Sequence, residues 1–249
     1  MEMILEMADA THTIPLTDLA LALVPVASVV AILHIWSRDA RETLYGFARM
    51  ILQLSLIGYF LVYLFAAETP WLVIAVLAIM ALVSSWISLR TTKFSRRTLY
   101  PIALCSITLG GGAVLAVITQ GVLRPDPWFT PQVIIPLAGM IFAASMNSVS
   151  LAAERLAAEM RRGDSYQAAR SVALKAALIP ITNSLFAVGL VSLPGMMTGQ
   201  ILSGVSPLVA ARYQIMVMCM MFAAAGLSAT LFLLFIRRHT EEVVPTKAD

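Results

Sequence analysis

Charge is scarce in this chain. Only 12% of its 249 residues are Asp, Glu, Lys or Arg, while 59% are apolar; soluble domains run at about 25% charged and about 45–50% apolar. A soluble fold of this length could not hide that much apolar surface, and a disordered chain needs the opposite balance. Cysteine is nearly absent too: Cys105 and Cys219, both inside apolar runs, make neither a disulfide framework nor a metal-ligand cluster. The three histidines, His12, His34 and His239, lie at termini or at the edges of apolar runs. With a mean hydropathy of +0.86, the chain reads as an integral membrane protein, all-α and polytopic.

About 20 apolar residues at 1.5 Å each cross a hydrocarbon core of roughly 30 Å, and lipid leaves such spans no choice but helix. That ruler predicts about seven spans: Leu16–Ile35, Leu44–Ala66, Trp71–Leu89, Pro101–Leu123, Gln132–Ala153, Leu178–Leu202 and Tyr213–Ile236. They are expected to form one transmembrane domain over residues 1–249. The first span is not expected to be a cleaved leader, because Glu2, Glu6 and Asp9 precede it instead of basic residues.

All but Arg124 and Arg212 of the 17 basic residues fall on alternate connections or the tail. Arg38, Arg41 and Arg49 flank the first connection; Arg90, Lys93, Arg96 and Arg97 fill the third. Arg155, Arg161, Arg162, Arg170 and Lys175 fill the fifth, and Arg237, Arg238 and Lys247 form the tail. By the positive-inside rule the N-terminus is outside and the C-terminus cytoplasmic. The excess of +3 is thus a topology signal, and no nucleic-acid partner is expected.

The missing chemistry narrows function. None of the 14 acidic residues lies in the middle of a predicted span, whereas ion-coupled carriers bury a carboxylate or His at mid-membrane. The same lack disfavours an intramembrane aspartyl protease, and no His is available for a Ser–His pair. The last span has no Lys for a retinal Schiff base, and no G-x-x-x-x-G-K-[ST] loop occurs. The chain is therefore expected to be no enzyme and to bind no cofactor; if it does energy-dependent work, the energy source sits on another chain. A non-transporting receptor or scaffold and a secondary carrier stand as the alternatives.

Two stretches carry positive information. Glu154–Lys175 is the longest hydrophilic interruption, and its Ala, Leu, Glu, Met and Arg content favours helix. Gly163 and Asp164 break it, and Asp164 or Ser165 can cap the helix that restarts. Such an elbow suits docking onto a cytoplasmic ATPase through Arg161, Arg162, Gly163, Asp164 and Ser165; a plain solvated loop fits the pattern equally. In the predicted sixth span, Pro180, Gly189, Pro194, Gly195, Gly199 and Gly204 predict a kink or unwinding near Leu193–Gly195. Broken membrane helices line substrate paths or act as hinges, while small residues also serve close packing.

The uncharged polar residues within spans are Gln53, Ser145, Asn147, Ser148, Asn183, Ser184, Gln200 and Gln214. They are expected to face the bundle, as interhelical glue or as solute contacts. The 14 methionines include Met196, Met197, Met216, Met218, Met220 and Met221. They read as adaptable packing more readily than as a soft-metal relay, and a metal site stays unknown. Gly110-Gly111-Gly112 lies in an apolar helix and reads as a close-contact or flexible point.

On these residues the chain resembles the FetB/YbbM family of ABC-transporter permeases, roughly from Leu44 to Phe235. The resemblance rests on Arg49-x-x-x-Gln53-Leu54 with Gly58-Tyr59, and on Pro136-Leu137-Ala138-Gly139-Met140. It is strongest from Val188 through Leu193-Pro194-Gly195-Met196-Met197-Thr198-Gly199, followed by Tyr213-Gln214-Ile215-Met216-Val217. The resemblance implies a homodimeric permease of the bacterial inner membrane, driven by a separate cytoplasmic ABC ATPase and associated with iron export. Plant members are linked to aluminium tolerance, with a nucleotide-sugar cargo proposed. Asn183 and Phe186 stand where relatives tend to carry an Asp and a Lys. The path or hinge residues implied are Gln53, Asn147, Asn183, Leu193, Pro194, Gly195, Met196, Met197 and Gly199.

Overall fold

A computed structural model describes residues 15–36, 40–65, 69–92 and 95–239. Arg38, Lys93 and Lys247, the acidic Glu2, Glu6, Asp9, Asp39, Glu68, Glu241, Glu242 and Asp249, and His12 lie outside the described residues. Two compact units separate, Met1–Ala67 and Glu68–Asp249.

The first unit is a helical hairpin. α1 (Leu16–Leu21) runs into α2 (Leu23–Trp36), and α3 (Ala40–Phe65) returns. No residue of α2 is buried, and on α3 only Ala40 and Leu64 are. In water such a hairpin would collapse; in a bilayer its side chains need no apolar partner other than lipid.

The second unit is a bundle of α4 (Pro70–Ser88), α5 (Arg96–Ala116, continued by a π turn at Val117–Leu123), α6 (Pro131–Arg162), α7 (Tyr166–Ala187), α8 (Gly195–Leu202) and α9 (Pro207–Ile236). Its centre is built from small residues that let helices approach closely. Ser228 on α9 hydrogen-bonds Ser145 on α6 at 3.0 Å, and Ser145 donates to the Ala224 carbonyl at 3.3 Å. Gly110 and Gly111 of α5 sit against Ser228 and against Ile141 and Ser145. The glycine run is thus a close contact at its first two positions, while Gly112 faces open space. At the basic end, Arg96 lies 5.7 Å over the Trp86 ring, which meets Tyr100 edge-on at 5.8 Å.

Six helices are long and apolar enough to cross a membrane among the described residues: Thr17–Trp36, Ala40–Phe65, Pro70–Ser88, Arg96–Leu123, Pro131–Arg162 and Pro207–His239. The chain is a multi-pass helical membrane protein. The predicted sixth span is the one that differs. The break expected near Leu193–Gly195 is present and starts earlier: α7 stops at Ala187, residues 188–194 are not helical, and α8 restarts at Gly195. The physical reason lies in Gly189, whose φ of +84 is left-handed, and in Pro194, which starts a new helix as its N-cap.

Side-chain neighbours fix the helix directions. Tyr166 at the start of α7 meets Leu233, and Ser184 near its end shares a pocket with Met221, so α7 runs against α9. The short turn at 163–165 folds α7 back against α6, and α6 and α9 therefore run in the same sense. The return from the end of α6 to the start of α9 is therefore made by α7, the 188–194 loop and α8. Ser184 shares a cavity with Ala144, which sets Ala187 about level with Ile141. α6 begins about ten residues earlier, at Pro131, so α7 stops roughly 15 Å short of the α6 N-terminus, counted along the helix.

Candidate functional site

The α6–α7 connection is an elbow held by backbone chemistry. Gly163, with φ +95, closes α6 in a Schellman turn: the Asp164 N–H donates to Glu159 O at 3.3 Å and the Gly163 N–H to Met160 O at 3.1 Å. Ser165 caps α7, its hydroxyl accepting from the Ala168 N–H at 3.4 Å. Arg161, Arg162, Gly163, Asp164 and Ser165 are all exposed. α6 continues for about a dozen residues, roughly 18 Å, past Ser150, whose hydroxyl meets Thr91 after α4 at 3.2 Å.

Below this tip the elbow is anchored. Glu159 is buried and pairs with Arg155 at 2.5 Å and with Arg162 at 3.4 Å. The Tyr166 hydroxyl donates to the Leu233 carbonyl, tying the first turn of α7 to α9. Burial raises the Tyr166 phenol above its ordinary 10.0, against the lowering fields of Arg170 and Arg237. Its contribution to stability is therefore complete below pH 10 and is lost as pH climbs through the raised value. Tyr166→Phe is expected to lower stability by about 1 kcal/mol, a few degrees of melting temperature in detergent. The loss should be equal at pH 7 and pH 9.

α6, α7 and α9 line a half-open pocket of about 170 Å³, in which Asn147, Pro180 and Ser184 are exposed and Ser148 is buried. Asn147 and Ser148 line it from α6, Pro180 and Ser184 from α7, and Met221 from α9. The Ser148 hydroxyl is buried there without a hydrogen-bond partner among the described residues. A partnerless hydroxyl in a pocket this size has room for ordered water or a small polar solute. A drug-sized ligand needs about 300–1,000 Å³.

Beside the cavity lies the interruption of α7. The Leu190, Val191 and Ser192 N–H groups all converge on the Ala187 carbonyl, at 3.2, 2.8 and 3.1 Å, and the Gly189 N–H donates to Ser192 O at 2.9 Å. The carbonyls of Val188, Gly189, Leu190 and Val191 accept no hydrogen bond from any described residue. Asn183, Leu193, Gly195 and Gly199 are exposed, and Pro194, Met196 and Met197 half-buried.

The structure thus brings Asn147 to the cavity and sets Asn183, Leu193, Pro194, Gly195, Met196, Met197 and Gly199 around the interruption. Gln53 belongs to the first unit, on α3, where its amide, oriented with the oxygen toward Arg49, accepts from the guanidinium at 3.1 and 3.3 Å. Tyr166 carried no signal in the sequence, since nothing local marks a tyrosine that will reach a distant carbonyl. Among the described residues no three His, Cys, Asp or Glu side chains gather as a metal site.

The pattern of the family described as "Uncharacterised protein family (UPF0014)" matches residues 16–166 and 160–240. The chain is 34% identical over 223 residues to a UPF0014 membrane protein of Synechocystis, covering 82% of this chain and 86% of that one. It is 32% identical over 234 residues to the probable iron export permease protein FetB of Escherichia coli, covering 88% and 89%. To the protein ALUMINUM SENSITIVE 3 of Arabidopsis thaliana it is 32% identical over 204 residues, covering 76% and 73%. No solved structure matches. With nearly its whole helical length matched, the chain belongs to the UPF0014 family of membrane proteins.

Proposed function

We propose that this chain is the permease subunit of an ATP-binding cassette transporter in the bacterial inner membrane. It works as a homodimer with a separate cytoplasmic ATPase that holds ATP and Mg, and it exports a small solute. The observation that carries this reading is the elbow: five consecutive exposed residues at the tip of a 32-residue helix. A continuous helix transmits displacement along its length, and an interrupted neighbour yields to it. ATP binding by the partner would move the Arg161–Ser165 tip, α6 would carry that movement into the bundle, and the 188–194 break would absorb it. The basic end faces the cytoplasm in this reading, as Lys and Arg placement favours.

The printed name of the Escherichia coli relative makes iron the first cargo to test. The cavity supports a small cargo over one the size of a nucleotide sugar, because its volume falls below that of a drug-sized pocket. Its walls supply neutral oxygens from Asn147, Ser148 and Ser184, suited to a cargo that keeps part of its hydration.

The direct experiment is co-expression with the ATPase encoded alongside, followed by purification through a tag on this chain. A stable complex whose ATP hydrolysis rises in liposomes is expected. Purified chain that pumps cargo against a gradient by itself, in sealed vesicles, would overturn the reading. Asn147→Leu fills the cavity with an apolar side chain and is expected to cut cargo-stimulated hydrolysis at least about tenfold while basal hydrolysis survives. Cellular iron that does not differ between deletion and complemented cells would set the iron cargo aside.

A further inference from the structure

We propose that the groove between the start of α5 and the end of α9 binds one phospholipid with an anionic headgroup. The groove is open on one side and holds about 640 Å³, within the range of about 300–1,000 Å³ that ligand pockets occupy. α5 and α9 run antiparallel here: Gly110 meets Ser228, and residues before Gly110 share the groove with residues after Ser228. Counted from that layer along each helix, Thr98 lies roughly 18 Å away and Arg238 roughly 15 Å, so the two stand about level. Polar and apolar groups are sorted along the groove. Thr98, Arg238 and His239 line one end. Pro101, Ile102, Cys105 and Leu109 of α5, with Leu234 and Phe235 of α9, line the rest.

Length, level and charge select the occupant. Thr98 to Leu109 spans roughly 16 Å along α5, about half of a hydrocarbon core of roughly 30 Å and so one leaflet. The polar end carries the marks of a membrane interface. Two residues from Thr98, Tyr100 meets Trp86 edge-on at 5.8 Å, with the Arg96 guanidinium over the Trp86 ring, and Trp and Tyr gather at headgroup level. Arg238 is exposed, nothing among the described residues pairs with it, and no carboxylate lines the groove. The His239 Nδ1 is buried without a hydrogen-bond partner among the described residues. A guanidinium that faces no acid attracts a headgroup of net negative charge; it gains little from a zwitterionic one, whose ammonium offsets the phosphate. A soluble anion would leave the apolar length of the groove uncovered, and an apolar partner helix would bring Arg238 no counter-charge.

The test is native mass spectrometry of the full chain purified in detergent, titrated with phosphatidylglycerol or with phosphatidylcholine. Wild type is expected to hold one phosphatidylglycerol at least about fivefold more tightly than phosphatidylcholine. Arg238→Gln with His239→Gln should erase that preference while leaving phosphatidylcholine binding unchanged, and Arg238→Lys should keep it. Cys105→Phe puts a ring into the groove and is expected to weaken both lipids at least about fivefold, by displacing acyl methylenes. Arg97→Gln removes an exposed base outside the groove and should leave both affinities as they are. Equal affinity of wild type for the two lipids would mean no headgroup recognition. A loss in Arg97→Gln equal to that in the double variant would mean a diffuse basic surface. Full binding by Cys105→Phe would place the lipid elsewhere, and displacement of phosphatidylglycerol by an equal concentration of inorganic phosphate would mean a free-anion site. Binding that emerges only after removal of residues 240–249 would mean that the chain's own tail fills the groove. Each of these overturns the inference. Because no ATPase enters the readout, selective lipid binding without an ATPase complex would defeat the transporter reading and leave this site standing.

Discussion

Gly110→Ala is expected to be the most damaging single-methyl change in the second unit. A Cβ at position 110 would stand 2.6 Å from the Ser228 hydroxyl, 2.8 Å from the Ser228 nitrogen and 2.9 Å from its Cα. A hydroxyl can rotate away; backbone in a packed helix cannot, so α5 and α9 must separate. The Ser145–Ser228 hydrogen bond spans the same layer and would be stretched with them. Overpacking of this kind costs about 1–3 kcal/mol, which for a chain of this size lowers the melting temperature by roughly 2–12 °C. Gly112→Ala meets nothing within 4 Å and is expected to be neutral, or to stabilise the helix by up to about 1 kcal/mol. Ser228→Gly should not rescue Gly110→Ala, because the nitrogen and Cα remain. Thermal denaturation of the purified variants in one detergent reads all of this. Equal melting of the Gly110 and Gly112 variants would show that α5 and α9 do not pack as described.

Exchanging the charges at the tip of the elbow, with Arg161→Glu and Asp164→Arg together, is expected to abolish ATPase binding without unfolding the permease. Both side chains are exposed, and the turn is closed by backbone groups of Glu159, Met160, Gly163 and Asp164 that the exchange leaves in place. Net charge is unchanged, so membrane orientation should hold. A rim charge on a docking surface governs encounter and register, and reversing it sets like against like. Recovery of the ATPase in the tag pull-down should fall at least about tenfold, with the melting temperature of the permease within a degree or two of wild type. An undiminished complex would remove the elbow from the docking role. Deletion of Arg161–Ser165 is a harsher version that also destroys the Gly163 turn, so the exchange separates docking from folding.

Much of this bundle was legible one residue at a time. Apolar run lengths located the hairpin of α2 and α3 and the cores of α4, α5, α6 and α9, because in a bilayer run length is itself the physical constraint. Gly163 and Ser165 announced the elbow, since a left-handed cap and a hydroxyl N-cap are local requirements. The predicted sixth span was harder. Its prolines and glycines showed that a break was due, but hydropathy counted straight through the apolar loop 188–194. That loop is as hydrophobic as a helix without being one, and only backbone geometry tells them apart.

What the sequence by itself determined, then, is membrane residence, helical class, the position of the elbow and the lack of a nucleotide loop. Each follows from composition or from contacts within a few residues. Tertiary structure alone decided which glycines of the run at 110–112 touch a neighbour, where Tyr166 finds its acceptor, that Ser148 lines a pocket, and how far short of the α6 N-terminus α7 stops. These depend on the register of one helix against another, set by the summed packing of many side chains that no single stretch of chain encodes.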